Sequence, residues 1–241
     1  MSSLEIKPLK TEKSELPQSP YMKKKIIAKF PSMTLIVGRS GSGKSTVCAH
    51  MCVDKNFYGG FFHYVILFSP TGLQDDLVKH LKLPKKNIIT EPTEEKLNEI
   101  IDKQDELIRD RGIKWVGEHS RVLLIFDDIV SHKKFLSSPP MLKIATMGRH
   151  SLISSIINTQ SYTKVPRAIR LQAKSTILFP SNQNETELIV QDWTPPHRGK
   201  KEFRQLIERA TEGEHSFLHI LAPEPAETRF RKCFGTYLKF I

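Results

Sequence analysis

Apolar residues along the chain gather in short continuous runs separated by longer mixed stretches. Runs of this kind suit strands that are covered on both faces. Met33–Val37 (MTLIV), His63–Phe68 (HYVILF), Val122–Phe126, Leu152–Asn158 and Ser175–Phe179 are the five clearest, and each predicts a strand. Ser69-Pro70-Thr71-Gly72 closes the second run as a turn. Between the runs the period changes. A helix is expected from Lys44, another near Met141–Met147, and the best defined over residues 93–111. There Leu97, Ile100, Ile101, Leu107 and Ile108 form the stripe, Thr93 is a capping residue, Glu94 and Glu95 suit the positive helix start, and Gly112 is a stop. Strands alternating with helices predict an α/β fold with a central, mostly parallel sheet and helices on both faces.

Past Pro180 the pattern weakens. It predicts helices over Glu185–Asp192 and Lys200–Ala210, then a strand pair over Phe217–Leu221 and Arg229–Tyr237. Residues 1–29, interrupted by Pro8, Pro17 and Pro20 and rich in lysine, read as a basic flexible arm, with order expected from Phe30. Residues 30–241 are then one domain, with 181–241 a C-terminal extension of its core.

Composition narrows the class. In 241 residues, 39% are hydrophobic and 26% charged, which excludes wholesale disorder. No apolar run approaches the ~18 residues of a membrane span. The opening MSSLEIKPLK lacks the apolar stretch of a secretory signal, so secretion is not expected. Lys and Arg number 37 against 26 Asp and Glu, a net charge of +11 that favours a polyanionic partner, nucleic acid or anionic membrane. Cys48, Cys52 and Cys233 are too few for a disulfide framework and point to a reducing compartment. Cys48 and Cys52 lack a second ligand pair at zinc-site spacing and read as core thiols; Trp115 and Trp193 also read as core.

The candidate chemistry begins where the first strand meets its helix. Gly38-Arg39-Ser40-Gly41-Ser42-Gly43-Lys44-Ser45 fits G-x-x-x-x-G-K-[ST] without mismatch. Glycines let the backbone curl so that successive N–H groups face phosphate oxygens, and the helix start adds positive potential. Residues Gly38 to Ser45, together with Thr46, are the expected ATP-binding set. Lys44 would bridge the β- and γ-phosphates, and the Ser45 hydroxyl would ligate Mg²⁺. The Val122 strand delivers Asp127 and Asp128 at its C-terminal end. Asp127 is the second expected Mg²⁺ residue, and Asp128 is placed to orient and deprotonate water. Asn158-Thr159-Gln160 ends the next strand, where the Gln160 amide can sense a γ-phosphate or hold the attacking water.

This constellation looks like the branch of RecA-like P-loop ATPases (ASCE) in which a second acidic residue activates water. Residues 30–180 resemble the FtsK/HerA superfamily, and within it the genome-packaging ATPases of nucleocytoplasmic large DNA viruses and virophages. The segments FPSMTLIVGRSGSGKS, HYVILFSPTG, VLLIFDD and MGRHSLISSIINTQSYTKVPRAIR carry the resemblance. It implies a Mg²⁺-dependent, ATP-driven ring, hexamer or pentamer, moving double-stranded DNA, with capsid or membrane-associated viral proteins as further partners. It also implies a place in the host cytoplasm (viral factory) or the virion. Arg149, in the Gly148-Arg149 step, takes the family's arginine-finger role in a neighbour's ATP site, and Pro166-Arg167 to Arg170 form a basic helix. Asp128 stands where many relatives have Glu. Lys133, Lys134, Arg198, Lys200 and Lys201 are candidate phosphate contacts or solvated surface. The alternative is a nucleoside or nucleotide kinase, whose phosphate loop would look the same. A GTP switch lacks its Asn-Lys-x-Asp guanine reader.

Overall fold

The computed structural model describes residues 15–72 and 76–240. Its strands are β1 (Met33–Val37), β2 (Tyr64–Phe68), β3 (Ile88–Ile89), β4 (Val122–Asp127), β5 (Ile153–Thr159), β6 (Ser175–Leu178), β7 (Leu218–Leu221), β8 (Phe230–Lys232) and β9 (Thr236–Tyr237). Its helices are α1 (Pro20–Lys23), α2 (Lys44–Val53), α3 (Asp76–Leu81), α4 (Glu94–Arg111), α5 (Ile113–His119), α6 (Lys133–Leu136), α7 (Pro139–Met147), α8 (Arg167–Arg170), α9 (Gln183–Trp193), α10 (Lys200–Thr211) and α11 (Ala226–Arg229).

One sheet runs in the order β3-β2-β4-β5-β1-β6-β7-β8-β9. It is parallel from β3 to β6 and antiparallel from β6 to β9. Each of the five apolar runs is a strand, within one residue at either end. They are continuous because alternate side chains feed two different cores. Leu35, Leu124, Phe126 and Ile157 pack under α4, α7, α9 and α10. Ile36, Leu123, Ile125 and Ile156 pack under α2, α3 and α5. In α4, Thr93 Oγ1 accepts from Lys96 N (3.4 Å), and Gly112 ends the helix.

Three expectations change. The strand expected over Arg229–Tyr237 is split into β8 and β9 by a tight turn in which Cys233 takes φ 52°. The expected arm is folded over its described part, residues 15–29; residues 1–14 lie outside the described residues. Leu16, Met22, Ile27 and Ala28 are buried. Pro20, read as an interruption, instead begins α1 behind the capping residue Ser19. The Gln18 amide closes both backbone bonds of Phe30, accepting from its N (2.8 Å) and donating to its O (3.0 Å). A Cβ at Gly117 would come within 2.3 Å of Leu16 Cδ2, so glycine there leaves room for Leu16 in its present position. Arg231 of β8, only 2% exposed, donates to Lys25 O (2.6 Å) and Ile26 O (3.3 Å). Trp115 is also displaced from its expected place. It is 38% exposed and stacks on His119 at 4.8 Å.

His219 of β7 is fully buried, with Nε2 2.9 Å from Ser175 Oγ. Burial, and secondarily the Arg231 charge, push its pKa down to about 3. An unfolded histidine titrates near 6.5. Between those values the unfolded chain binds the extra proton, so stability is full above about pH 6.5 and drains as pH falls toward 3. Replacing His219 with Gln should remove up to about 1.4 kcal/mol per pH unit from the acid-side slope. Denaturant midpoints at pH 7, 6 and 5 check this; parallel slopes for variant and parent would refute it.

Candidate active site

The phosphate loop leaves the C-terminal end of β1 and turns directly into α2. Two glycines are required by geometry. A Cβ at Gly38 would lie 2.5 Å from Ser42 Oγ and 2.7 Å from Phe179 Cβ, and Gly43 caps α2 at φ 99°. Lys44, at the first position of α2, is buried and donates from Nζ to Arg39 O (2.9 Å), lying back across its own loop. Burial holds its pKa below the ordinary lysine value, against the opposing pull of the Asp127 and Asp128 charges. The ammonium therefore sits between a carbonyl of its own loop and the two carboxylate charges.

β5 lies between β1 and β4, pairing Val37 with Thr159 on one side and Asp127 with Asn158 on the other. Asp127 is buried, and the Asn158 side-chain amide donates to its Oδ1. Asp128, the next residue, takes φ 51°, a left-handed conformation that Asp tolerates better than most residues. Its backbone N donates to Asn158 O (3.1 Å), and the Gln160 side chain donates from Nε2 to its Oδ2 (3.1 Å). Lys44, Ser45, Thr71, Asp127, Asp128 and Gln160 face one open cavity of about 170 Å³. The fold thus brings together the loop, both acids and the amide from separate sequence segments.

Two members of this group escaped the sequence reading. Asn158 reads in the sequence as part of a polar strand end, and only the β4/β5 register shows it paired with Asp127. Thr71 read as turn chemistry; its Oγ1 is 2.8 Å from Ser69 Oγ, and the Ser-Pro-Thr-Gly turn was the available signal.

Arg149 is not part of its own chain's cavity. It is exposed in the turn after α7, before the N-terminal end of β5, while the phosphate loop lies at the C-terminal end of the sheet. The seven residues of β5 separate the two levels, a rise of about 23 Å. Gly148 sets the turn, because a Cβ there would meet Ile144 O at 2.5 Å. Around Arg149 is a hollow of about 490 Å³ that also carries Lys29, Lys174 and Glu224. Of the basic helix, Arg170 points inward: it is 6% exposed, donates from Nε to Asp192 Oδ2 (2.6 Å), and lies over the Tyr162 ring. Arg167, Lys133, Lys134, Arg198, Lys200 and Lys201 are exposed.

A parallel sheet with a polar-ended strand inserted between the phosphate-loop strand and the acid-ended strand defines a P-loop ATPase fold of the RecA-like class. The chain belongs to the Poxvirus A32 protein family, whose profile matches residues 18–221. It is similar to the uncharacterized protein 075L of Invertebrate iridescent virus 6, 24% identical over 191 residues, covering 78% of this chain and 70% of that protein. Its fold is similar to B204, the DNA-packaging ATPase of Sulfolobus turreted icosahedral virus, at TM-score 0.58 and 17% identity, over 80% of this chain and 94% of that one. The genome-packaging NTPase B204 of Sulfolobus turreted icosahedral virus 2, solved with ATP-gammaS, matches at TM-score 0.54 and 16% identity, over 88% and 98% of the two chains. The viral packaging-ATPase kinship expected from the sequence segments is met by this family membership.

Proposed function

We propose that this chain is the ATP-hydrolysing motor that moves double-stranded DNA into a viral capsid. The observation that carries hydrolysis is the Gln160–Asp128 contact at 3.1 Å, in the same cavity wall as Lys44. A carboxylate and an amide side by side can hold and deprotonate one water. Nothing favours the kinase alternative.

ATP would lie with its phosphates along Gly38–Thr46 and its γ-phosphate toward Lys44, Asp128 and Gln160. Ser45 and Asp127 offer hydroxyl and carboxylate oxygens at the cavity wall, the hard donors that suit Mg²⁺. Bound there, the ion would neutralise phosphate charge. Asp127 is held by Asn158 and is fixed for that part, while Asp128 orients and takes the proton of water. The cavity is open, and no cation beyond Lys44 faces it among the described residues. Arg149, at the opposite end of the sheet, is better placed for a neighbouring subunit's ATP, which supports a ring of hexameric or pentameric form. The surplus of +11, with Arg167, Lys133 and Lys134 exposed, supports DNA gripping through phosphates. No helix among the described residues is long and apolar enough to cross a membrane. Capsid or membrane-associated partners, and the virion or viral factory as its place, follow from the same reading.

The test is hydrolysis by the purified chain with Mg²⁺ and ATP, without an acceptor, with and without duplex DNA. Turnover stimulated by duplex is expected. DNA affinity should fall at least about 10³-fold between ~50 and ~200 mM salt if six or more phosphates are contacted. Arg149→Ala chains should bind ATP yet hydrolyse it poorly in the same assay. Turnover that requires a nucleoside acceptor, or ignores DNA, would overturn the proposal.

A further inference from the structure

Just beyond Gln160 the chain runs into a buried acid that neither catalysis nor nucleotide binding uses. Glu185 sits in the first turn of α9, where Asn182 Oδ1 accepts from its backbone N (3.0 Å). It is 7% exposed. Its Oε2 accepts from Tyr162 N (2.5 Å) and Thr163 N (3.1 Å). Its Oε1 accepts from Ser161 Oγ (2.8 Å) and Thr163 Oγ1 (2.7 Å). A carboxylate offers about four acceptor positions, and all of these are taken by three consecutive residues of one loop. A surface acid of an amphipathic helix would have no cause to turn inward and saturate itself this way.

At its far end, α9 grips the same segment again. Asp192 Oδ2 accepts from Tyr162 Oη (3.1 Å) and from Arg170 Nε (2.6 Å), and Trp193 Nε1 donates to Tyr162 Oη (3.0 Å). Gln160 is itself exposed, and its side-chain amide donates to Asp128. Its backbone is therefore set from two sides: by β5, ending at Thr159, and by the loop that Glu185 holds.

We propose that Glu185 is a positioning residue for ATP hydrolysis, clamping residues 161–163 so that the Gln160 amide stays on Asp128. The inference rests on the proposed role of Gln160 and deepens it. A side chain held by packed partners keeps an angstrom-level placement, and a slip of about 1 Å costs catalysis up to about 10²-fold. The hydrogen bonds that Glu185 accepts come from residues 161–163 and not from the phosphate loop or the acid pair, so it governs kcat and leaves nucleotide affinity alone. The carboxylate is also replaceable by its amide. In Glu185→Gln the carbonyl oxygen can take the two backbone N–H groups, and the amide NH₂ can donate to the two hydroxyls, which accept as readily as they donate.

The experiment is a double-mutant cycle between positions 185 and 160 in the full chain, reading kcat and ATP affinity. Glu185→Ala is expected to lower kcat about 10- to 100-fold, with ATP affinity within about 3-fold of the parent by the same argument. Glu185→Gln should recover most of that loss. In a Gln160→Ala background, Glu185→Ala should cost little more, because the group it positions is gone. An undiminished loss in that background would overturn the clamp, as would a fall in affinity parallel to kcat. Should Glu185→Ala fail to fold, Thr163→Val, which removes one hydroxyl from the carboxylate, runs the same cycle with the same two outcomes. A Gln160→Ala chain with unchanged kcat would instead sink the reading of Gln160, a result distinct from either.

Discussion

Replacing Lys44 with alanine should leave a folded chain that neither holds ATP tightly nor turns it over. Lys44 is the cation of the cavity wall among the described residues, and the two carboxylates facing it are repulsive to a triphosphate. Its Nζ now rests on Arg39 O, a neutral acceptor, so moving onto phosphate oxygens replaces a bond to a neutral carbonyl by bonds to ionised oxygens. Burial already holds its pKa below the usual lysine range, the mark of an ammonium taken partly out of water before its ligand arrives. Loss of such a clamp on a transferring phosphoryl group costs at least ~10²-fold in kcat. Phosphate release, read alongside equilibrium binding of a fluorescent ATP analogue, decides the matter. Parent-like turnover would remove the phosphate loop from the site.

Asp128→Asn should separate binding from chemistry. The substitution keeps the side-chain shape, and asparagine is as tolerant as aspartate of the φ of 51° at this position. The Asn carbonyl can still accept from Gln160 Nε2, so the wall stays assembled while the base is lost. ATP affinity is expected to hold, and kcat to drop ~10²- to 10⁴-fold. Asp127→Asn is a poor substitute for this test, since Asp127 is the proposed Mg²⁺ residue and its loss would mix metal binding with chemistry. If affinity and kcat fall together in Asp128→Asn, the residue serves the metal or the fold, and another base must be sought.

What the sequence made legible was local or contiguous. β1 and β4 are readable because burial on both faces leaves Thr34 as the one polar residue within Met33–Val37 and Val122–Phe126. α4 is readable because Thr93 and Gly112 mark its ends. The phosphate loop is eight consecutive residues. The parts that stayed hidden depend on partners far along the chain. Leu16, Met22 and Ile27 lie among lysines with no helical or strand period, and Arg231, which holds that segment, is 205 residues from Ile26. Arg170 reads as one charge of a basic helix until Asp192, 22 residues on, is found beside it. Glu185 reads as an ordinary acid near a helix start. Trp115 has the composition of a core residue and lies outside because its helix turns its other face, with Val116, to the sheet.

The place of β1 in the sheet has a bearing on synthesis. Its neighbours on either side are β5 and β6, which leave the ribosome more than a hundred residues after it. Until residues 153–178 emerge, β1 has two open edges and no partner strand, and the loop that follows it has no wall of carboxylate and amide to face. Pairings this distant in sequence form late, because closing the intervening chain costs entropy before any contact repays it. A growing chain therefore carries its phosphate-binding sequence long before it carries a phosphate site. On the proposed reading of the site, ATP cannot act as a template for the first half of the molecule and would lock the domain only once its centre has closed.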